Sequence, residues 1–296
     1  MDRGVVLVTG ASGRLGTLIC TALRGDGWFV RALRHRRMPA VYDELVEGSL
    51  ASRATLDAAV AGADVVLHLA AVTHARSRAR YQDVNVAGTS NVLYAARAAG
   101  VARFVFVSSR AAVDGGGAYS SSKVEAEELV RGAGLSYTIV RLPEIYGAGG
   151  RDGVDAVIRQ ARAGRAVPVV AGASARVCPI HADDAVRALV AVLESSGTAG
   201  KTYTLAGECL TLEEFARVCV GLFESRSSIV RLPVWGVRAV APLSRLLPLP
   251  IYPDQLARLL APKTEVSPDA ASELGFQPRT LAEGLQVRDA GRNALN

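Results

Sequence analysis

The sequence predicts an α/β protein, built on a parallel sheet with crossover helices and carrying a smaller capping domain, on three observations. Short β-branched runs alternate with longer alanine-rich helical patterns through the first half of the chain. The strand-like runs are apolar almost throughout, as strands covered on both faces must be. After Tyr146 the alternation becomes irregular, and from Leu210 onward helical patterns and proline-rich connections take over.

In chain order the predicted strands are Val5 to Thr9, Phe29 to Leu33, Val65 to Ala70, Phe104 to Ser108 and Tyr137 to Arg141, with helices over Leu15 to Arg24, Ala51 to Ala61, Tyr81 to Ala99 and Tyr119 to Arg131. The glycine-rich stretch Gly147 to Gly153 reads as a loop leading into a helix from Val154 to Ala163. A strand over Val177 to His181, a helix over Asp183 to Glu194 and a strand over Thr202 to Leu205 are placed to rejoin the sheet. At roughly 100 to 200 residues per domain, 296 residues allow about two domains.

Composition excludes several classes. Half the residues are hydrophobic and 21% are charged, so the chain collapses rather than staying disordered. Cys20, Cys178, Cys209 and Cys219 are scattered without a C-x-x-C pair, which indicates neither a metal site nor a disulfide framework and fits a reducing cytoplasm. The net charge is +6, but apart from Lys123, Lys201 and Lys263 the cations are arginines dispersed without interleaved aromatics, which argues against nucleic acid. Met1 runs almost directly into the first strand, so no targeting segment is expected. The stretch Ile229 to Ile251 carries Arg231, Arg238 and Arg245 at seven-residue intervals. Its arginines and prolines exclude a membrane span, and it is read as part of the capping domain rather than a membrane-surface helix.

Two constellations carry chemistry. In Thr9-Gly10-Ala11-Ser12-Gly13-Arg14-Leu15-Gly16 a strand, three glycines at three-residue spacing and a helix start follow one another. Gly10 permits the tight turn, Gly13 lets the backbone approach a diphosphate, Gly16 lets helix pack on strand, and the helix N-terminus offers unpaired N–H groups. In Tyr119-Ser120-Ser121-Ser122-Lys123 the spacing of four puts phenol and ammonium on one helical face, where the cation is expected to lower the phenol's pKa from about 10. Ser109, at the end of the preceding strand, is placed to hydrogen-bond a reacting carbonyl or hydroxyl.

With these motifs, together with Asp64-Val65-Val66-Leu67-His68-Leu69-Ala70-Ala71, Asn85-Val86-Ala87-Gly88-Thr89, Ile180-His181-Ala182-Asp183-Asp184 and Glu273-Leu274-Gly275-Phe276-Gln277-Pro278, the chain resembles the extended short-chain dehydrogenase/reductase family, the group of sugar-nucleotide epimerases, dehydratases and reductases. The resemblance implies a Rossmann-type doubly wound sheet over 1–146 plus roughly 176–206, and a C-terminal α/β substrate-capping domain over roughly 147–175 plus 207–296. It implies Tyr119 as general acid and base, Lys123 on the nicotinamide ribose and Ser109 on the substrate. The dinucleotide would lie on Gly10, Ser12, Gly13, Arg14, Leu15, Gly16, Arg34, Leu69, Ala70, Ala71 and Asn85, with Ser108, Glu144 and Arg176 toward the substrate. Asp64 is expected near the adenine side, and His68 is expected to be structural.

Departures from the family pattern sharpen the reading. Where NAD-preferring members carry an acidic residue after the second strand, this chain has Arg34, with Arg36 and Arg37 just beyond; this points to the 2′-phosphate of NADP(H), with NAD(H) as the alternative. Ser49 stands where many members have an adenine-contacting aspartate. No acidic residue follows Ser109 in the run Arg110-Ala111-Ala112, which disfavours dehydration and decarboxylation. The expected function is therefore NADP(H)-dependent oxidation or reduction of a carbonyl/hydroxyl pair on a sugar nucleotide or similar polar substrate. The rivals are an NAD-dependent sugar-nucleotide 4-epimerase and a non-catalytic dinucleotide-binding subunit. The helical patterns over Tyr81 to Ala99 and Tyr119 to Arg131 correspond to those through which the family pairs into homodimers.

Overall fold

Seven parallel strands form one sheet in the order β11-β6-β5-β4-β1-β2-β3, so the chain winds outward in both directions from the adjacent strands β1 (Val5–Thr9) and β4 (Val65–His68). The remaining members are β2 (Phe29–Arg34), β3 (Glu44–Glu47), β5 (Arg103–Ser109), β6 (Tyr137–Leu142) and β11 (Lys201–Thr204). The structure is a computed structural model that describes residues 3–150, 153–171, 176–240 and 254–286. Reversal of the winding direction between β1 and β4 opens a crevice at the C-terminal ends of the strands, where ligands of such sheets bind.

Helices cover both faces. On one side α1 (Arg14–Gly25), α7 (Ala182–Glu194) and α11 (Asp269–Leu274) bury Ile19, Leu23, Leu189, Val192 and Leu274 against Val6, Val8 and Val30. On the other, α2 (Arg53–Val60), α4 (Gly88–Ala98) and α5 (Gly117–Gly132) bury Leu56, Val92, Ala96, Ala126 and Val130 against Leu7, Val66 and Phe104. The continuous apolar character of the strands follows from this double burial. The predicted helix over Tyr81 to Ala99 is three pieces: α3 (Arg78–Tyr81), a π-helical turn over Gln82–Ala87, and α4. Such turns recur at functional sites, and this one carries Asn85.

Outside the sheet, α6 (Gly153–Arg162), β8 (Val167–Ala171), α8 (Leu212–Leu222) and β13 (Ile229–Pro233) form a separate small core around Val157, Val167, Val169, Phe215 and Cys219. A capping box at Thr211 and Glu214 starts α8. β13 pairs in parallel with β8 and leads into α9 (Val234–Val240); the rest of the Ile229 to Ile251 stretch lies outside the described residues. The expected strand over Val177 to His181 is split. β9 (Arg176–Val177) pairs antiparallel with β12 (Leu210–Thr211), and β10 (Ile180–His181) pairs with β7 (Ile145–Tyr146), because Pro179 between them has no N–H to continue a ladder.

Two expectations are corrected here. Cys178 and Cys209 are disulfide-bonded, across 31 residues of sequence. The pairing of Val177 with Leu210 brings these neighbours together, a proximity that sequence spacing does not encode. Asp64 is not on the adenine side. Preceding β4, it lies at the opposite, N-terminal edge of the sheet, where its carboxylate accepts the Val5 N–H at 2.7 Å. Among the described residues no helix is long and apolar enough to cross a membrane, and no cluster of His, Cys, Asp or Glu is arranged to hold a metal ion.

Candidate active site

The dinucleotide side of the crevice is made of backbone. Gly10 sits at φ +76°, where L-residues are strained, and a Cβ there would lie 2.8 Å from the Ala70 nitrogen. The β1–α1 turn therefore packs directly on the Leu69–Ala70 loop. A Cβ at Gly16 would lie 2.2 Å from the Gly10 carbonyl oxygen, so only glycine lets α1 begin this close to β1. The α1 N-terminus has Gly13 as its N-cap, no side-chain cap and no acidic residue in its first turn, so its N–H dipoles face the crevice. This cradle fits a dinucleotide diphosphate. Ser12 and Leu15 are half-buried, and Gly13 and Arg14 are exposed at its mouth.

Buried side chains fix the loops around it. His68 bridges Thr9 (Nδ1 to Oγ1, 2.6 Å) and Thr89 (Nε2 to Oγ1, 3.0 Å) and stacks on Phe106. Complete burial pushes its pKa down to about 3, helped by the Lys123 charge, so the ring is neutral. The Thr9 hydroxyl in turn accepts the Ala70 N–H at 3.2 Å. Asn85 clamps the loop after β4 from both sides: its Oδ1 accepts the Val72 N–H at 2.8 Å, and its Nδ2 donates to the Val72 carbonyl and to Ser122, each at 3.0 Å. The Asn85 amide is thus spent on holding Leu69 to Val72 in place.

The reactive side is made of side chains. Tyr119, 8% exposed, stands in the first turn of α5, and Ser109 at the end of β5 lies close enough to its phenol to favour the ionised form. Lys123, one turn on, is buried; its Nζ donates to the Val107 carbonyl at 2.9 Å and lies 4.0 Å from the Phe106 ring centroid. The expected lowering of the phenol's pKa by this ammonium is not what the site shows. Burial raises the Tyr119 pKa, against the charge of Arg258 and the nearness of Ser109, while Asp254 and Glu144 push it further up. Burial also drives Lys123 down to about 7, opposed by Glu127.

Three predicted residues have partners that the sequence does not disclose. The Ser108 hydroxyl points away from the crevice and donates to Glu127 at 2.6 Å, inside a buried network in which Glu127 also accepts from Arg141 and Arg131. Neighbouring residues of a strand face opposite sides, so Ser108 and Ser109 cannot both face the substrate. Arg176 is exposed and donates to the Cys209 carbonyl at 3.2 Å. Arg34 does have a carboxylate beside it, because the unanticipated strand β3 sets Glu47 in register with Arg34 and the two form an ion pair. Glu144 faces the site, where its charge acts on Tyr119, Arg110 and Lys263, and it accepts the Cys178 N–H at 3.4 Å.

Sequence reasoning missed the wall that covers Tyr119. The short helix α10 (Gln255–Leu260) packs on the start of α5 at Gly117, where a Cβ would lie 3.0 Å from the Asp254 Cβ. Asp254, buried, accepts the Tyr81 hydroxyl at 3.2 Å, and Tyr81 makes an edge contact with Tyr119. The Arg258 guanidinium lies 5.0 Å from the Tyr119 ring centroid and donates to the Thr73 carbonyl at 3.2 Å. Thr264 accepts from and donates to Arg110, the residue after Ser109. None of these residues sits in a local motif; the one sequence signal is the helical pattern just after the proline-rich stretch.

A buried phenol beside a serine and a diphosphate cradle is equipped to pass a proton to or from an oxygen held there. The family described as NAD dependent epimerase/dehydratase matches residues 6–206. The chain is 36% identical over 250 residues to a ceramide reductase of Caulobacter vibrioides, covering 79% of this chain and 75% of that one. It is 30% identical over 328 residues to the 4-hydroxy-2-methyl-3-oxo-4-farnesyl-3,4-dihydroquinoline-1-oxide ketoreductase of Stigmatella aurantiaca, covering 97% and 98%. Its fold is similar to that of MoeE5, solved in complex with UDP-glucose and NAD, with a TM-score of 0.78, 25% identity and coverage of 99% and 100%. The chain belongs to the NAD dependent epimerase/dehydratase family, and it is an NAD(P)-dependent oxidoreductase or epimerase of the extended short-chain dehydrogenase type.

Proposed function

We propose that the protein is an NADP(H)-dependent reductase that interconverts a ketone and a secondary alcohol, with Tyr119 as general acid and base. The observation that carries this reading is the Tyr119–Ser109 pair, buried under Asp254 and Arg258 at the edge of the glycine cradle. Bound nicotinamide supplies or takes hydride at carbon. Tyr119 delivers or takes the proton at oxygen, and Ser109 orients that oxygen. A raised phenol pKa keeps Tyr119 protonated at neutral pH, the form a reductase needs. Lys123 ties α5 to β5 through the Val107 carbonyl, and Arg258, Asp254 and Tyr81 keep water from the phenol.

Arg36 and Arg37, both exposed just beyond β2, support NADP(H) over NAD(H). Arg34 adds to this by exchanging Glu47, an exposed partner of little energetic weight, for the 2′-phosphate. The same reading divides the chain into a dinucleotide-binding domain over 1–146 plus roughly 176–206 and a substrate-capping domain over roughly 147–175 plus 207–296. For the substrate, the relatives at 36% and 30% identity are by name a ceramide reductase and the ketoreductase of a farnesylated quinoline oxide, which supports a ketone carried on an apolar body. A second reading, epimerisation of a nucleotide sugar, is supported by the likeness to MoeE5 with UDP-glucose.

Nucleotide released on denaturation separates the readings. A reductase purifies nearly empty, consumes added NADPH and binds NADP at least tenfold more tightly than NAD in calorimetric titrations. Near one mole of NAD per subunit refutes it in favour of the epimerase, and binding of neither nucleotide refutes both. The face of α4 and α5 with Tyr94, 60% exposed, is assigned to a homodimer, so light scattering at micromolar concentration is expected to give twice the 31.0 kDa chain mass.

A further inference from the structure

The substrate side of the crevice is joined to the cap by a covalent link whose two ends differ. Cys178 is 0% exposed, whereas Cys209 is half-buried on the segment entering β12. The inner sulfur stands among groups of the site: Arg110 Nη1 donates to the Cys178 Sγ at 2.7 Å, and Glu144 accepts the Cys178 N–H at 3.4 Å. Arg110 directly follows Ser109, in a turn that fixes the serine. The Ser109 Oγ accepts the Ala111 N–H at 3.1 Å, and its carbonyl accepts the Ala112 N–H at 2.9 Å. On the outer side, the Cys178 carbonyl accepts the Gly207 N–H at 3.0 Å and the Cys209 carbonyl accepts from Arg176. These bonds, the two-residue ladder of β9 with β12 and the disulfide hold 207–211 against Cys178. The other two cysteines are of a different kind. Cys20 and Cys219 lie inside the cores with thiols pushed up to about 12 by burial, which leaves them unreactive near neutrality.

We propose that Cys209 is an exchange site for an external dithiol, and that opening the Cys178–Cys209 bond loosens the substrate side of the site while the nucleotide cradle stays intact. The regulatory part of this rests on the reductase reading of Ser109 and Tyr119. A dithiol of the kind that small redox proteins carry supplies the electrons. Its thiolate attacks the half-buried Cys209 Sγ, the bond between the two sulfurs breaks, and Cys178 leaves with the electron pair as a thiolate. Arg110 already stands beside that sulfur, and a cation there stabilises the leaving group. The second thiol of the dithiol, its proton given to water, then attacks its partner sulfur and expels Cys209, which takes up a proton. Two electrons have passed, and the dithiol has become a disulfide. With the bond open, 207–211 can part from Cys178, and Arg110 and Glu144 lose a fixed neighbour beside Ser109. Misplacement by about an ångström next to reacting groups costs up to roughly 100-fold. The cradle is held by other bonds, those of Thr9, His68 and Asn85 to the loop after β4.

The test compares the intact chain in air-oxidised form with the same chain after excess dithiothreitol, both folded. Iodoacetamide followed by peptide mass analysis is expected to label Cys209 ahead of Cys178 in the reduced chain and neither in the oxidised one. Amide hydrogen exchange over 109–112, 177–181 and 205–211 is expected to be about tenfold faster after reduction, with 9–16 unchanged. Calorimetric affinity for NADP should stay within about twofold, while NADPH consumption with acetophenone as the ketone falls about tenfold and returns on reoxidation. Cys209→Ser is expected to match the reduced parent and to ignore dithiothreitol. The proposal is overturned by a bond that resists dithiothreitol in the folded chain, by exchange over these segments that is equal in both states, or by equal turnover in both. Loss of nucleotide binding together with the bond overturns it too, because the disulfide would then be a staple for the whole fold. Absence of NADPH consumption in both states counts against the reductase reading instead, and labelling and exchange then decide on the exchange site by themselves.

Discussion

On the side of β1, β2 and β4 the crevice is lined by backbone: the Gly10 turn, the uncapped start of α1 and the Leu69–Ala70 loop, with His68, Thr9 and Asn85 spent on holding these in place. On the side of β5 and β6 it is lined by side chains: Ser109, Tyr119, Glu144, Asp254 and Arg258. A diphosphate is the same in every dinucleotide, so fixed amides suffice for it. A reacting oxygen needs groups that gain and lose protons, and the protein sets their pKa values by burial and by charges drawn from distant parts of the chain. Changes on the two sides should therefore fail differently, one through structure and one through turnover.

The largest expected effect is on the side-chain half. Tyr119→Phe removes the proton donor and leaves the glycine cradle untouched, so turnover should fall by roughly 100-fold or more while calorimetric affinity for the nucleotide stays within about twofold. Unchanged turnover would return Tyr119 to the status of a packed helix residue.

The matching change on the backbone half shows in stability rather than chemistry. His68 titrates at about 3 when folded and 6.5 as its ordinary value, so between those values the unfolded chain binds a proton that the folded chain does not. The stability associated with neutral His68 is present above pH 6.5 and lost as pH falls, amounting to about 3 kcal/mol by pH 4. Comparing urea midpoints at pH 7 and pH 4 for the parent and for His68→Gln checks this, and an equal acid loss in both would refute it.

A smaller effect is expected where the cap meets the reactive half. Arg258→Ala takes away a charge that lowers the Tyr119 pKa against the effect of burial. Turnover should drop about tenfold with nucleotide affinity preserved, and the alkaline limb of the reduction profile should move to higher pH. A uniform drop at every pH would make Arg258 a packing residue only.

The same contrast explains what the sequence discloses. Strands β1, β2, β4, β5 and β6 and the cradle are legible because their signals are local: apolar runs and glycines at fixed spacing. β3 was missed because Glu44-Leu45-Val46-Glu47 is short and charged at both ends, and with it went Glu47 as the partner of Arg34. Tyr119, Lys123 and Ser109 stand out by spacing, but the direction of the phenol's shift does not. It depends on burial and on Asp254 and Arg258, more than a hundred residues further along the chain. Ser108 was misplaced because strand alternation decides which of two adjacent serines faces the crevice. The Cys178–Cys209 bond is equally non-local, arising from a two-residue ladder.

The bonds between Arg110 and Thr264 join residues 154 apart in sequence. At about 5 to 20 residues per second, a ribosome needs roughly 8 to 30 seconds to travel from one to the other. When Arg110 is made the glycine turn, its helix and strands β1 to β5 are complete, and by Thr204 all seven strands of the large sheet are, whereas the segment that closes over Tyr119 follows only after Asp254. Biosynthesis thus supplies the residues that line the place for the nucleotide first and those that enclose the proton donor last.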